Sequence, residues 1–252
     1  VRDIVESPSN GVIRKMFEEG ALLRKKYGAD KVYDFSIGNP DLDPPQKVVD
    51  AVKEIAADNS HLRHGYMPNP GYPETRAAMA KKTGIEQGME IDFSNVVMAV
   101  GAAGAINATL KALLNDGDQL IVPCPYFAEY GHYVHNHNGE IVGVKTKEDF
   151  SLDPDVIRDA LNEKTAAILL NSPNNPTGRI YSDEDIDNLV KVLKDHGKKT
   201  CRYPYIILDE PYRAITYDGK KVAPVFPKYE YSVVVTSFAK NLSLPGERIG
   251  YI

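Results

Sequence analysis

Val233-Val234-Val235-Thr236-Ser237-Phe238-Ala239-Lys240 is an apolar run of strand length that ends on a serine and, three residues later, on a lysine. A short loop then leads into Arg248-Ile249-Gly250-Tyr251. An amine and a guanidinium gathered at one strand end can meet an aldehyde and a phosphate together, which is Schiff-base chemistry. A lone lysine after a strand is as often a solvated charge, so the reading depends on what the other strand ends carry.

Runs of the same kind recur at 96–100, 119–123, 140–144, 166–170, 205–209, 232–237 and 248–252. Helical patterns lie between the earlier ones. Ile106, Leu110, Leu113 and Leu114 form one apolar stripe, and Ile186, Leu189, Val190 and Leu193 form another. The second stripe has its own start signal: Ser182 as N-cap, then Asp183, Glu184 and Asp185 at the positive end of the helix, with Gly197 expected just past its last turn. Asp153 and Pro154 open a further helix. Strands apolar on both faces and alternating with helices predict an α/β fold, a mostly parallel seven-stranded sheet flanked by helices. Ligands of such sheets collect at the carboxyl ends of the strands.

The amino-terminal region reads differently. Helices are expected at 11–27 and 45–57, with the irregular Ile37-Gly38-Asn39-Pro40-Asp41 between them. Residues 1–45 are expected to be an arm and part of a second, small domain, and residues 46–252 the large domain. Ile252 falls inside an apolar strand with no cap or turn after it, so the natural chain is expected to run on and complete the small domain.

Composition narrows the function. The 252 residues are 42% hydrophobic, yet no apolar run approaches the ~20 residues of a membrane span. A formal net charge of -5 gives no electrostatic reason to expect nucleic acid or an anionic membrane as partner. Cys124 and Cys201 are too few for a disulfide framework, and a reducing cytoplasm fits best. His132, His135 and His137 lie close together, but no Cys, Asp or Glu accompanies them at metal-ligand spacing, so no metal is expected.

Each strong polar motif follows one of the strands. After the first comes Gly101-Ala102-Ala103-Gly104, whose small residues let backbone N–H groups and a helix N-terminus approach an anion. It lacks the glycine spacing of a dinucleotide fingerprint, which sets a nicotinamide enzyme aside. After the fourth comes Asn171-Ser172-Pro173-Asn174-Asn175-Pro176-Thr177-Gly178, where Asn175 can offer an amide donor. After the fifth comes Asp209-Glu210-Pro211-Tyr212, a carboxylate at the end of an apolar run, where desolvation must be offset by a cation or a hydrogen bond.

Asn174-Asn175-Pro176-Thr177-Gly178, Asp209-Glu210-Pro211-Tyr212 and Ser237-x-x-Lys240 with Arg248-x-Gly250, in this order, resemble the class I and II aminotransferases, pyridoxal-phosphate enzymes of fold type I. The resemblance spans roughly residues 36–252. It implies pyridoxal 5'-phosphate as cofactor and Lys240 as the residue joined to it in a Schiff base. Asp209 would pair with the pyridine nitrogen. Asn175 and Tyr212 would hold the phenolic oxygen, and Ser237, Arg248 and the N–H groups of Ala102 and Ala103 the phosphate. Phe127 would stack on the ring, where the family often has tryptophan; this chain has none. Tyr66 would reach the phosphate of a neighbouring subunit, implying a homodimer with shared sites, and Gly38 would contact the substrate carboxylate through its backbone, with Asn175 also binding substrate. Two peptide bonds, Cys124-Pro125 and Asn175-Pro176, are expected to be cis on the same ground.

The activity implied is transfer of an amino group between an amino acid and a 2-oxo acid, with Lys240, Asp209 and Tyr212 at the chemistry. The same cofactor residues serve other fold-type I reactions, such as β-elimination, decarboxylation and synthase chemistry, and a non-catalytic sensor of pyridoxal phosphate is a further alternative. No arginine follows Arg248, so the residue that pairs with the substrate carboxylate in the family, and with it the choice of amino acid, is not legible in the 252 residues.

Overall fold

The computed structural model describes residues 12–35 and 38–252. The chain divides into two compact units, residues 1–43 and 44–252. In the first, helix α1 (Val12–Tyr27) is followed by one 3-10 turn (Ala29–Lys31). Arg24, Lys25 and Lys26 fill the last turn of α1, where cations complement the helix dipole. Arg24 also pairs with Asp34 at 3.2 Å. The expected helix start at Gly11, and Ser36 and Ile37 of the irregular stretch, lie outside the described residues.

The second unit opens with α2 (Gln46–Ala57) and α3 (Pro73–Gln87). Then come β1 (Met98–Val100), α4 (Gly101–Leu113), β2 (Gln119–Cys124), α5 (Glu129–His135) and β3 (Glu140–Lys145). The rest is α6 (Pro154–Ala160), β4 (Thr165–Asn171), α7 (Asp183–Thr200), β5 (Tyr205–Asp209), β6 (Ser232–Ser237) and β7 (Ile249–Tyr251). The seven strands make one sheet in the order β1-β7-β6-β5-β4-β2-β3. Neighbours from β3 to β6 are parallel, and β7 runs antiparallel to both β6 and β1. The carboxyl ends of β1 to β6 therefore share one edge of the sheet.

Both faces of the sheet are covered, which is why its strands read as unbroken apolar runs. Along β4, Ile168 and Leu170 enter one core while Ala167 and Leu169 enter the other; along β5, Ile206 and Leu208 alternate with Ile207 in the same way. The first core is closed by Ile186, Leu189, Val190 and Leu193 of α7, the second by Ala105, Ile106 and Leu110 of α4 and by Tyr130 and Val134 of α5. Each fully buried Leu or Ile contributes roughly 1.5–3 kcal/mol relative to exposure, so the β4–β5 pair is strongly anchored.

The helix signals hold with one correction. Ser182 and Asp185 form a capping box: Ser182 Oγ accepts from the Asp185 N–H at 3.1 Å and Asp185 Oδ2 from the Ser182 N–H at 2.8 Å. Asp153 caps α6 by accepting from the N–H groups of Asp155 and Val156. Gly197 does not end α7, however; the helix runs on to Thr200 and stops at Cys201, which is left-handed at φ 57°. Gly197 is needed inside the helix because the Tyr203 ring lies where a Cβ would stand. Helices α3 and α5 were not expected. The first bears the marks of a helix all the same, with Pro73 in its first turn and left-handed Gly88 as its carboxyl cap. Among the described residues no helix is long and apolar enough to cross a membrane.

Candidate active site

The polar motifs stand on the shared edge of the sheet. Asn171 ends β4, Asp209 ends β5 and Ser237 ends β6, while α4 starts directly from β1. In the parallel pairing of β4 with β5, Asn171 is the register partner of Asp209.

Asp209 is the electrostatic centre. Its side chain is buried, and burial pushes its carboxyl up to about 6, against a smaller pull downward from the hydroxyl of Tyr130. Tyr130 donates to Asp209 Oδ2 at 2.6 Å, while Oδ1 is buried with no hydrogen-bond partner. A buried carboxylate oxygen left unpaired is costly, so this one is poised for a donor that a ligand brings. Burial, then the charge of Asp209, raise the Tyr130 hydroxyl far above the ordinary tyrosine value and keep it a donor. Tyr130 lies on α5, packed between the offset ring of Tyr126 and the perpendicular ring of Phe127, whose centroid is 5.6 Å away. Phe127 itself is half-buried just before α5.

Beside Asp209, the Asn171 amide donates to the Asp209 carbonyl at 2.8 Å, and its oxygen accepts from the Asn175 N–H at 2.5 Å. Burial, then the Asp209 charge, push the hydroxyl of Tyr212 upward, and the Asn175 side chain pulls it the other way. Asn174 pins the turn that follows, accepting from the N–H of Thr177 at 3.2 Å and from its hydroxyl at 2.9 Å. The peptides Cys124-Pro125 and Asn175-Pro176 are cis as expected, and Ser172-Pro173, not anticipated, is cis as well.

A second cluster forms where α4 begins. Gly101 has φ +67°, and a Cβ there would stand 2.7 Å from Nη2 of Arg248, so the guanidinium lies against the first residue of the helix. No side chain caps α4, which leaves the N–H groups of its first turn, including those of the half-buried Ala102 and Ala103, without an intrahelical acceptor. Gly250 brings β7 close enough for this: a Cβ on it would meet the carbonyl carbon of Gly101 and the carbonyl oxygen of Thr236, each at 2.6 Å. Ser237 is buried at the end of β6. Lys240 follows it, half-buried, and burial lowers its ammonium below the ordinary lysine value.

Tyr66 stands in an exposed loop of the second unit together with exposed Leu62 and Met67. Gly38 belongs to the first unit and is exposed. Two polar residues escaped the sequence reading. Tyr130 could have been noticed as a hydroxyl one helical turn before Val134, on a face otherwise apolar. Asn171 stands in the motif as one polar residue among several, with nothing in the sequence to mark its two backbone bonds.

Residues 30–252 match the family Aminotransferase class I and II. The chain belongs to that family. It is 33% identical over 233 residues to the aspartate/prephenate aminotransferase of Thermus thermophilus, covering 92% of this chain and 58% of that protein. It is also 30% identical to a probable aspartate aminotransferase of Methanocaldococcus jannaschii, covering 87% of this chain and 56% of the relative. Among solved structures, an amino transferase from Eubacterium rectale superposes with a TM-score of 0.92 at 40% identity, over 99% of this chain and 63% of that one. The Thermus thermophilus aspartate aminotransferase crystallised with maleate gives 0.84 at 32% identity, over 95% of this chain and 60% of that one. The chain thus spans less than two thirds of the length of these proteins.

Proposed function

We propose that the protein binds pyridoxal 5'-phosphate and exchanges amino groups between an amino acid and a 2-oxo acid. The observation that carries this is the buried, unpartnered Oδ1 of Asp209. An oxygen in that position needs a donor, and a protonated pyridine nitrogen is one. The other residues fit the same group: the Arg248 guanidinium against the open end of α4 suits a phosphate, and the Asn175 amide with the Tyr212 hydroxyl suits a phenolate oxygen.

When bound, the cofactor supplies an electron sink for the pair left on Cα when its proton departs. The chain does the rest. Asp209 keeps the ring nitrogen protonated, with Tyr130 holding the carboxylate in place. Arg248, Ser237 and the N–H groups of Ala102 and Ala103 grip the phosphate. Phe127 would stack on the ring. Lys240 Nζ, more readily neutral because of its burial, would hold the aldehyde group and, when free of it, would serve as the base and acid that takes and returns the substrate's Cα proton. Asn175 also meets the substrate. The unit 44–252 serves as the cofactor-binding large domain, with the segment before it contributing the arm and part of the small domain. Tyr66, on its exposed loop, completes the phosphate site of a second subunit in a homodimer.

The test is a single turnover of the reconstituted full-length protein with an amino acid alone. Aspartate is the donor to try first, since relatives are named for it. Conversion to the pyridoxamine form with stoichiometric 2-oxo acid supports the reading, and borohydride followed by peptide mapping should place the cofactor on Lys240. Release of ammonia or CO2 would move the protein to an elimination or decarboxylation chemistry. A reduced link on any other lysine would overturn the assignment of Lys240.

A further inference from the structure

We infer that Asn171 is a positioning residue that fixes the spacing between the two ends of the cofactor ring site, the Asp209 side and the Asn175–Tyr212 side. The inference rests on the proposed cofactor, but its structural basis is independent of it. Asn171 is 3% exposed at the last position of β4, directly across from Asp209 in the sheet register. Its amide makes both of its bonds to backbone: Nδ2 to the Asp209 carbonyl and Oδ1 to the Asn175 N–H. A backbone carbonyl only accepts and a backbone N–H only donates, so the orientation of the amide is fixed by its partners. These two bonds tie the end of β5 at Asp209 to the backbone of Asn175, whose side chain also acts on the hydroxyl of Tyr212, three residues beyond Asp209.

A two-ended tie of this kind resists the one motion that would matter most, a shift of the Asn175 loop relative to the end of β5. Backbone bonds of β4 stop at Asn171, and beyond it the chain turns through two prolines, which lack N–H donors, at Pro173 and Pro176. The Asn171 side chain thus supplies a tie to β5 in the stretch where the ladder has ended. Asp cannot replace it in full: its carboxylate would accept from Asn175 but has no proton for the Asp209 carbonyl. Ala would lose both bonds.

The test uses Asn171→Ala and Asn171→Asp in the full-length protein, with circular dichroism and a thermal melt to establish folding. Asn175 and Tyr212, as donors to the phenolic oxygen, set the pH midpoint of the bound cofactor's visible absorbance. Displacing them should move that midpoint up in both variants, and kcat should fall by on the order of 100-fold for a misplacement near 1 Å, with KM changed far less. Amide exchange at Asn175 in the cofactor-free protein should be fast in Asn171→Ala and stay slow in Asn171→Asp. Should the alanine variant not fold, the aspartate variant, which preserves shape and one bond, decides by its absorbance midpoint and kcat. A folded variant with an unmoved midpoint and unchanged kcat overturns the role of Asn171. That outcome is separable from failure of the cofactor reading, in which wild-type protein itself shows no borohydride-trapped link at Lys240.

Discussion

Tyr130 donates its hydroxyl proton to Oδ2 of Asp209 at 2.6 Å and leaves Oδ1 of the same buried carboxylate without a partner. The aspartate is thus held by one side and open on the other. Replacing Tyr130 by Phe keeps the ring packed against Phe127 and Tyr126 while deleting the donor. A hydrogen bond to a charged group contributes about 1.5–3 kcal/mol, so the amino-donor half-reaction should slow by roughly 10- to 100-fold in Tyr130→Phe. Stopped-flow absorbance with a single amino acid measures it. A wild-type rate would show that the tyrosine does not support the carboxylate.

Asp209 also makes a prediction about stability in the cofactor-free protein. Its folded-state value, about 6, lies above the ordinary 3.8, so between those pH values the folded chain binds more protons than the unfolded chain. Stability is therefore lost as pH rises through that window, by about 3 kcal/mol at ~1.4 kcal/mol per unit. Glu210 acts with the same sign: burial pushes it up to about 7, although Arg213, 2.6 Å away, pulls it back. In Asp209→Asn the Asp209 share should vanish, and urea unfolding at pH 4 and pH 7 should show a drop smaller by about that amount. The same variant should lose most of its proton-abstraction rate when loaded, because a neutral amide cannot keep a ring nitrogen protonated. An unaltered pH dependence would mean that Asp209 is not the buried titrating group.

Most of the sheet was legible because its strands are buried on both faces, and a run such as Ile206-Ile207-Leu208 has no other economical reading. The polar residues at the strand ends stood out for the same reason, each being an interruption of an apolar run. The ties among them were not legible. Tyr130 and Asp209 are 79 positions apart and Asn171 and Asp209 are 38 apart, and only the sheet order brings them together. Gly197 misled because a glycine near a helix end resembles a cap, whereas its reason is the ring of Tyr203. Helix α3 escaped because few of its residues are apolar; its buried positions include Thr83, Gly84 and Gln87, and Gln87 Oε1 accepts from the backbone of Val225 at 2.8 Å.

Lys240 must be neutral to attack an aldehyde, and its burial lowers the pKa below the usual 10.5. The rate at which pyridoxal phosphate attaches to cofactor-free protein should therefore rise with pH and level off below 10.5. Absorbance-monitored attachment across pH 6–10 follows it, and Lys240→Arg, which keeps the charge but cannot form the bond, should show none. A midpoint at or above that of an ordinary lysine would contradict the effect of burial.

Gly101 and Gly250 touch, yet substituting them should do different things. A Cβ on Gly250 would strike two backbone groups, the Gly101 carbonyl carbon and the Thr236 oxygen, and neither can yield without breaking the pairing of Ser237 with Gly250. Gly250→Ala should therefore cost about 1–3 kcal/mol of stability, as overpacked sites do, and weaken every ligand through the fold. A Cβ on Gly101 would meet the far end of the Arg248 side chain, 2.7 Å from Nη2, which can swing aside. Its φ of +67° adds backbone strain of roughly 1–2 kcal/mol. The distinguishing effect lies in binding: a displaced guanidinium loses a charge-assisted bond to a phosphate, so affinity for pyridoxal phosphate should fall about tenfold or more while affinity for pyridoxal, which has no phosphate, stays near wild type. Fluorescence titration of Gly101→Ala with the two compounds reads the difference. Equal losses for both would place the phosphate elsewhere than between Arg248 and the start of α4.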